Sequence, residues 1–318
     1  MNSYPGRRYY ERIAGASGYS PASLERVYRL AALLVEIVGR LPDELLLRGG
    51  TALNLLHLEA PRLSVDLDLD FVGSADAGVA KRRRPRLLTE LEELASRAGY
   101  RVEQSRQSYA MAHLILRYEN NAGRSDALKL DLNFLDRVPV LEPARLPLWH
   151  PFGDDLAAPL TPTFVLEELA ASKIIALARR GLARDLFDVG ELARLADLEL
   201  DVVRRVLVVR GAAYPPPPPD QYSANAGALV RLVDWRAQVV ALARRDQPVD
   251  LAMAQQRATT LLRRVLSLDP GQLQFLRALE EGTFDATLLG DPALTLRVQA
   301  NPGLLWRSQR GIAGLEER

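Results

Sequence analysis

Residues 64 to 71 read SVDLDLDF, and this stretch decides the fold of the first half of the chain. Leucine or phenylalanine alternates here with aspartate, and successive side chains of a β-strand point to opposite faces. The alternation therefore predicts a strand with one apolar and one acidic face. Carboxylates at such spacing repel each other unless a hard cation such as Mg²⁺, or Mn²⁺, lies between them. Asp66 and Asp68 are the candidate metal ligands.

A glycine turn precedes the acidic strand. Leu45 to Leu47 is a short apolar strand, and Gly49, Gly50 and Thr51 turn it into a helix that is predicted from about residue 52 to residue 58. Free N–H groups at such a turn and helix N-terminus bind phosphate, and the threonine hydroxyl adds a donor. Turn and strand together predict a site for a metal-bound triphosphate.

A second alternating segment supplies another carboxylate. Residues 127 to 135 alternate in the same way, which places Asp131 on the polar face of a strand. Two-metal phosphoryl transfer uses a third carboxylate to activate the attacking hydroxyl, so Asp131 is a candidate for that role. An acidic face also occurs on solvated edge strands, where charge discourages further strand pairing. The strand pattern alone leaves both interpretations open.

Helical periodicity replaces strand alternation from residue 161 onward. We therefore predict an α+β fold: a mixed sheet with flanking helices in a domain of residues 1–160, then a mainly helical lobe of residues 161–318 that completes an active-site cleft. Helices are predicted at 163–180, 185–195, 202–209, 224–245, 251–266 and 271–280. The proline run from Pro215 to Pro219 predicts an extended surface connector and a hinge or boundary.

A second polar cluster lies at the start of the helical lobe. Lys173 lies beside an apolar helix face, where a lysine either reaches water or contacts an anion such as a phosphate. Asp185 and Asp188 follow, one helical turn apart. They are candidates for the polar site, or they stabilise the N-terminal end of their own helix.

Composition narrows the classes of protein. The chain has 318 residues, 48% hydrophobic and 25% charged, which is typical of a folded globular protein. It has no cysteine, no apolar stretch long enough to span a membrane and no export signal at its start, so a cytoplasmic protein is expected. His57, His113 and His150 are too scattered for a zinc site, and hydrolase and P-loop motifs do not occur.

These motifs resemble those of the AbiEii/AbiGii toxin-type nucleotidyltransferases, members of the DNA polymerase β-like nucleotidyltransferase superfamily. The resemblance rests on the glycine turn at Gly49 to Leu53, on Arg62, Ser64, Asp66 and Asp68, and on the later cluster from Lys173 to Asp188. It spans about residues 45 to 195. The superfamily commonly has serine where this chain has Thr51.

The resemblance implies a bilobed toxin of a toxin–antitoxin pair that transfers a nucleotide from an NTP to an RNA end, in some members the 3′ end of tRNA. Asp66 and Asp68 would hold the metal, Lys173 would contact the NTP phosphates, and Asp185 or Asp188 would complete the site. It also implies a cognate antitoxin, which in related systems phosphorylates a serine at the place of Ser64.

Two alternatives remain open. The same site could transfer the nucleotide to a small molecule or a protein hydroxyl, or the chain could be an inactive binding module. The basic run from Lys81 to Arg86 favours RNA because lysine and arginine neutralise phosphates, although such a run is also typical of a solvated helix face.

Overall fold

The chain has an α+β fold, as predicted. The computed structural model describes residues 4–214 and 217–310, so Pro215 and Pro216 of the predicted connector lie outside the described residues. The strands are β1 Leu45–Arg48, β2 Asp66–Phe71, β3 Arg101–Gln107, β4 Met111–Glu119, β5 Ser125–Asn133, β6 Ala144–Pro147 and β7 Leu160–Thr163. The α-helices are α1 Arg7–Ser17, α2 Pro21–Arg40, α3 Gly49–Ala52, α4 Ala77–Arg97, α5 Leu166–Arg180, α6 Ala183–Leu192, α7 Leu200–Ala213, α8 Leu232–Gln238, α9 Leu251–Val265, α10 Pro270–Glu280, α11 Pro292–Gln299 and α12 Pro302–Arg310.

The strands form one mixed sheet in the order β3-β4-β5-β2-β1-β7-β6. Strand β2 pairs antiparallel with β1 and parallel with β5, and three strands lie on each side of it. The acidic strand is therefore central. The alternative that it is a solvated edge strand is wrong, because a strand paired on both sides has no edge for its charges to protect.

The apolar face of the sheet forms the core of this part of the molecule. Leu67 and Leu69 of β2 are each 1% exposed, and they pair in register with Leu130 and Leu132 of β5, which are fully buried. Each such leucine stabilises the fold by about 2 kcal/mol. The opposite face of the same strands carries the polar residues, as the alternation predicted.

Local signals set several helix ends. The Ser20 side chain accepts a hydrogen bond from the Ser23 N–H, and Pro21 occupies the first turn, so α2 begins at Pro21. Helix α4 begins at Ala77, because Asp76 caps it, and Pro85 is accommodated inside it. The basic run is therefore helical.

One other expectation was wrong, and two strands were missed. Residues 224–229 form turns, and within the predicted helix 224–245 the only α-helix among described residues is α8. Strands β6 and β7 were missed because each has four residues and contains a proline, which weakens the strand pattern.

Contacts within the chain define two compact units. The sheet unit comprises the chain up to Arg137 together with Pro143–Thr163 and Val240–Pro248. The helical unit comprises Val138–Glu142, Phe164–Val239 and the chain from Val249 on. The proline run lies within the range of the helical unit, and its last residue, Pro219, is buried in a short 3₁₀ helix.

None of the helices in the described residues is both long and apolar enough to cross a membrane.

Candidate active site

The polar face of the central strands brings three of the predicted site residues together. Asp66 and Asp68 lie on the same face of β2, and both are partly exposed. Asp68 pairs in register with Asp131 of β5, and paired residues of neighbouring strands project to the same side of a sheet. Three carboxylates thus occupy adjacent positions. Lys129 of β5, which is exposed, is the register neighbour of Asp66.

The third aspartate of β2 has a structural role. Asp70 is fully buried, forms an ion pair with the Arg48 Nε at 2.7 Å and accepts a hydrogen bond from the Asn133 amide at 3.0 Å. A buried carboxylate is tolerated only when such partners compensate for its lost hydration. Asp70 therefore fixes the strand, and Asp66 and Asp68 remain at the surface of the sheet.

The glycine turn lies directly against the metal strand. Gly49 has a φ of +74°, a left-handed conformation that favours glycine, and a Cβ atom here would overlap the Asp68 carboxylate. Residue 48 also pairs with Asp68 across β1 and β2. Both the backbone conformation and the close approach require glycine, and together they place the turn beside a predicted metal ligand. Gly50, also predicted for phosphate binding, is buried in the turn.

Thr51 does not have the role that was expected of it. Its side chain is completely buried, and its hydroxyl donates a hydrogen bond to the backbone carbonyl of Asp66. It therefore ties the glycine turn to the start of the metal strand and is not placed as a phosphate donor. A hydroxyl with this function explains why threonine can stand where serine is common.

The loop between turn and strand holds an unusual backbone. After α3 the chain continues as a π-helix, Leu53–His57, and then Glu59 and Ala60 both have positive φ. Such conformations cost about 1–3 kcal/mol each and persist only where the surroundings enforce them. The Ala60 N–H donates to the Asn54 carbonyl at 2.7 Å, and the Tyr19 hydroxyl donates to the Ala60 carbonyl.

A distant segment covers the residues just before the metal strand. The Leu63 N–H donates to the Leu242 carbonyl at 2.8 Å, and Arg62 forms an antiparallel bridge with Ala243. Arg62, one of the motif residues that carry the resemblance, is 2% exposed, and Ser64 is 6% exposed. Both side chains are therefore buried.

The second predicted cluster is buried and balanced in charge. The Lys173 Nζ lies 2.7 Å from Asp188 and 3.5 Å from Asp185, and Arg180 contacts Asp185 at 2.6 Å. Both aspartates are completely buried and Lys173 is 6% exposed. Two cations therefore face two anions where α5 meets α6. These side chains are not placed as helix caps, because their partners lie on the preceding helix.

Sequence reasoning missed two residues on the polar face. The His113 Nδ1 lies 2.7 Å from the Asp131 carboxylate, since His113 and Asp131 are register partners of β4 and β5. Arg48 contacts Asp70 immediately before the glycine turn. The register of β4 against β5 could not be read from the sequence, but the position of an arginine next to the turn was a usable signal.

The donor set of the polar face fits a hard divalent cation. Carboxylate oxygens are the ligands that Mg²⁺ and Mn²⁺ prefer, and Mg²⁺ is typically held by one or two carboxylates together with substrate phosphates. Asp66 and Asp68 can provide the carboxylates, with Asp131 adjacent. In residues 4–214 and 217–310 no three acidic, histidine or cysteine side chains form a complete metal-binding group.

Comparison with solved structures identifies the fold. The nucleotidyltransferase toxin MenT4 from Mycobacterium tuberculosis H37Rv is similar, with a TM-score of 0.64 and 20% identity over 95% of this chain and 99% of that chain. A putative nucleotidyltransferase from H. pylori matches with a TM-score of 0.46 and 18% identity over 78% and 96% of the two chains. No protein of curated function matches the sequence.

The fold and the family that the sequence matches define a nucleotidyltransferase, an enzyme that transfers a nucleotide from an NTP. The family model of the nucleotidyl transferase AbiEii toxin of type IV toxin–antitoxin systems matches residues 32–271, about three quarters of the chain. The chain therefore belongs to the AbiEii toxin family, and the resemblance drawn from the sequence motifs is confirmed. Membership implies an NTP substrate and a cognate antitoxin.

Proposed function

We propose that the chain transfers a nucleoside monophosphate from an NTP to the end of an RNA, in particular the 3′ hydroxyl of a tRNA, in a Mg²⁺-dependent reaction in the cytoplasm. The observation that carries the proposal is the placement of Asp66 and Asp68 on a central strand with the Gly49 turn against them. Protection of a free sheet edge does not account for these partly exposed carboxylates, because the strand is paired on both sides.

We assign the metal to Asp66 and Asp68, with Asp131 as the third carboxylate. When bound, the metal would neutralise charge on the triphosphate and lower the pKa of the attacking hydroxyl. The protein itself contributes position: Thr51 fixes the turn to the carbonyl of Asp66, and His113 fixes the Asp131 carboxylate. Catalysis of phosphoryl transfer depends mainly on such positioning and on charge stabilisation.

The sequence resemblance also assigns the NTP phosphates to Lys173, with Asp185 or Asp188 completing the site. We retain this as part of the proposal, with one physical condition. Because the Lys173 ammonium is already 2.7 Å from Asp188, a phosphate would have to compete with that carboxylate for it. Competition of this kind would make the stability of the chain sensitive to NTP.

The test is transfer of label from each α-³²P-labelled NTP to total RNA, in the presence of Mg²⁺, by the wild type and by the Asp66→Asn/Asp68→Asn double variant. We expect label in a discrete RNA band with the wild type only. If the label appeared on protein or on a small molecule and not on RNA, the acceptor would be a protein or a small molecule. Equal labelling by the double variant would overturn the assignment of the site.

A further inference from the structure

The first turns of α4 carry a surface of exposed positive charge. Lys81, Arg82 and Arg86 are exposed on this helix. Arg82 and Arg86 are four residues apart, so they lie on the same side of the helix. This is the basic run that the sequence singled out, and the family assignment does not explain it.

Two acidic residues nearby, Glu44 and Glu90, form their ion pairs with Arg83. Arg83 contacts Glu44 at 2.6 Å and Glu90 at 2.9 Å. The Arg83 hydrogen bond, with further attraction from Arg83, Arg40 and Arg86, holds the pKa of Glu90 below its ordinary value. Both acids therefore form ion pairs with the same structural arginine. The three exposed cations remain available to an anionic partner.

The next arginine joins the helix to an exposed aromatic side chain. The Arg84 guanidinium donates to the backbone carbonyls of Ser108 and Tyr109, each at 2.7 Å, and of Met111 at 3.0 Å. These residues form the tip of the β3–β4 hairpin. The Tyr109 side chain is 65% exposed, and a large aromatic group at such a tip can stack on a base.

The hairpin leads directly to the carboxylates. Along β4, Met111 pairs with Asn133 and His113 pairs with Asp131. Tyr109 precedes His113 by four residues, of which only Met111 to His113 belong to β4. Four residues span at most about 14 Å, which is no more than the length of about four stacked nucleotides.

We propose that Lys81, Arg82, Arg86 and Tyr109, which we call the Tyr109 surface, bind the single-stranded end of the acceptor RNA. The cations contact its phosphates, Tyr109 stacks on one of its bases, and the strand continues along β4 towards Asp131. A single strand is favoured because only an unpaired base presents a free face to an aromatic ring. The inference rests on the proposed RNA acceptor and adds where the acceptor binds.

The experiment measures binding of a fluorescently labelled single-stranded RNA of about twelve nucleotides by anisotropy at several salt concentrations. It compares the wild type, Tyr109→Ala, Tyr109→Phe and the triple variant Lys81→Ala/Arg82→Ala/Arg86→Ala. The matched control removes three exposed arginines elsewhere, Arg8→Ala/Arg236→Ala/Arg277→Ala, and so loses the same charge. Circular dichroism confirms that every variant is folded.

We expect the triple variant to bind at least about tenfold more weakly than the control, with a salt dependence smaller by about two in the slope of log K against log salt. Tyr109→Ala should weaken binding about tenfold without changing that slope, and Tyr109→Phe should restore it, because stacking needs the ring and not the hydroxyl. Equal binding by the triple variant and its control would overturn the proposal. The proposal would also be overturned if polyglutamate bound the wild type as tightly as the RNA does and bound Tyr109→Ala equally well.

Label transfer in the same samples separates this inference from the proposed function. If the wild type labels RNA and the triple variant labels it equally well at limiting RNA, the Tyr109 surface is wrong and the RNA acceptor stands. If the wild type labels no RNA, the proposed acceptor is wrong, and this inference fails with it.

Discussion

The two aspartate clusters of the chain differ in burial and in charge balance. Asp66 and Asp68 in the sheet unit are partly exposed and lie beside another carboxylate. Asp185 and Asp188 in the helical unit are completely buried and face Lys173 and Arg180. The residue type is the same, but partly exposed carboxylates can be reached by a metal ion from solution, whereas buried ones are stabilised by partners within the fold.

The largest expected effect separates the two clusters by activity. Asp68→Asn should lower nucleotide transfer by about a thousandfold, because it removes a charge that would hold the metal. The melting temperature should stay the same or rise, since repulsion within the cluster is relieved. Transfer kinetics and thermal unfolding of the same preparation measure both. If activity fell only in proportion to a loss of folded protein, the cluster would be structural.

The second prediction addresses the buried cluster. Lys173→Met should destabilise the chain by about 3–5 kcal/mol, because it removes the ammonium next to two buried carboxylates. Denaturant unfolding measures the change. The double variant Lys173→Met/Asp188→Leu is the matched control and should recover part of the stability. If Lys173→Met were as stable as the wild type but had a much higher KM for NTP, Lys173 would be a phosphate ligand. The buried cluster would then belong to the active site, and the contrast between the two clusters would be wrong.

A smaller effect is expected at the histidine that contacts Asp131. His113→Asn should lower transfer about tenfold, because residues that orient a metal-binding carboxylate typically contribute that much. The effect should lie in kcat and in the Mg²⁺ concentration needed, with KM for NTP little changed. His150→Asn, which alters a histidine far along the chain, serves as the control. A uniform loss in both variants would show that His113 has no positioning role.

The smallest expected effect is at the turn. Thr51→Val should reduce stability by about 1 kcal/mol, since it removes one buried hydrogen bond to the Asp66 carbonyl. Thr51→Ser keeps the hydroxyl and should retain activity. Chemical denaturation of the two variants compares them. If Thr51→Ser were as inactive as a metal-site variant, the methyl group would have a part that the hydrogen bond does not explain.

The sequence predicted those parts of the fold that depend on neighbouring residues. Alternation over six residues was enough to place Asp66 and Asp68 on one face of a strand. The contacts that depend on register were not predictable. The pairing of His113 with Asp131 is one case, because it requires the alignment of two strands that a single sequence does not encode locally.

The partners of polar side chains were the other feature that the sequence did not predict. Lys173 next to an apolar helix face was consistent with a phosphate contact, and nothing in its spacing showed that two aspartates further along the chain would face it. Thr51 was likewise assigned to phosphate, because a hydroxyl at a glycine turn can donate either to a bound phosphate or to a nearby backbone carbonyl. The structure shows that it donates to the Asp66 carbonyl.

The bridge between Arg62 and Ala243 bears on when the toxin becomes complete during its synthesis. Arg62 and Leu63, which precede the metal strand, have backbone partners in Val240–Pro248, which the ribosome makes long after the strand itself. A nascent chain that ends near Thr163 contains every strand of the sheet and both predicted metal ligands, but not that covering segment. A cell translating this message would therefore hold incomplete toxin until most of the chain had emerged, and a fragment cut at Thr163 is a poor substitute for the sheet unit.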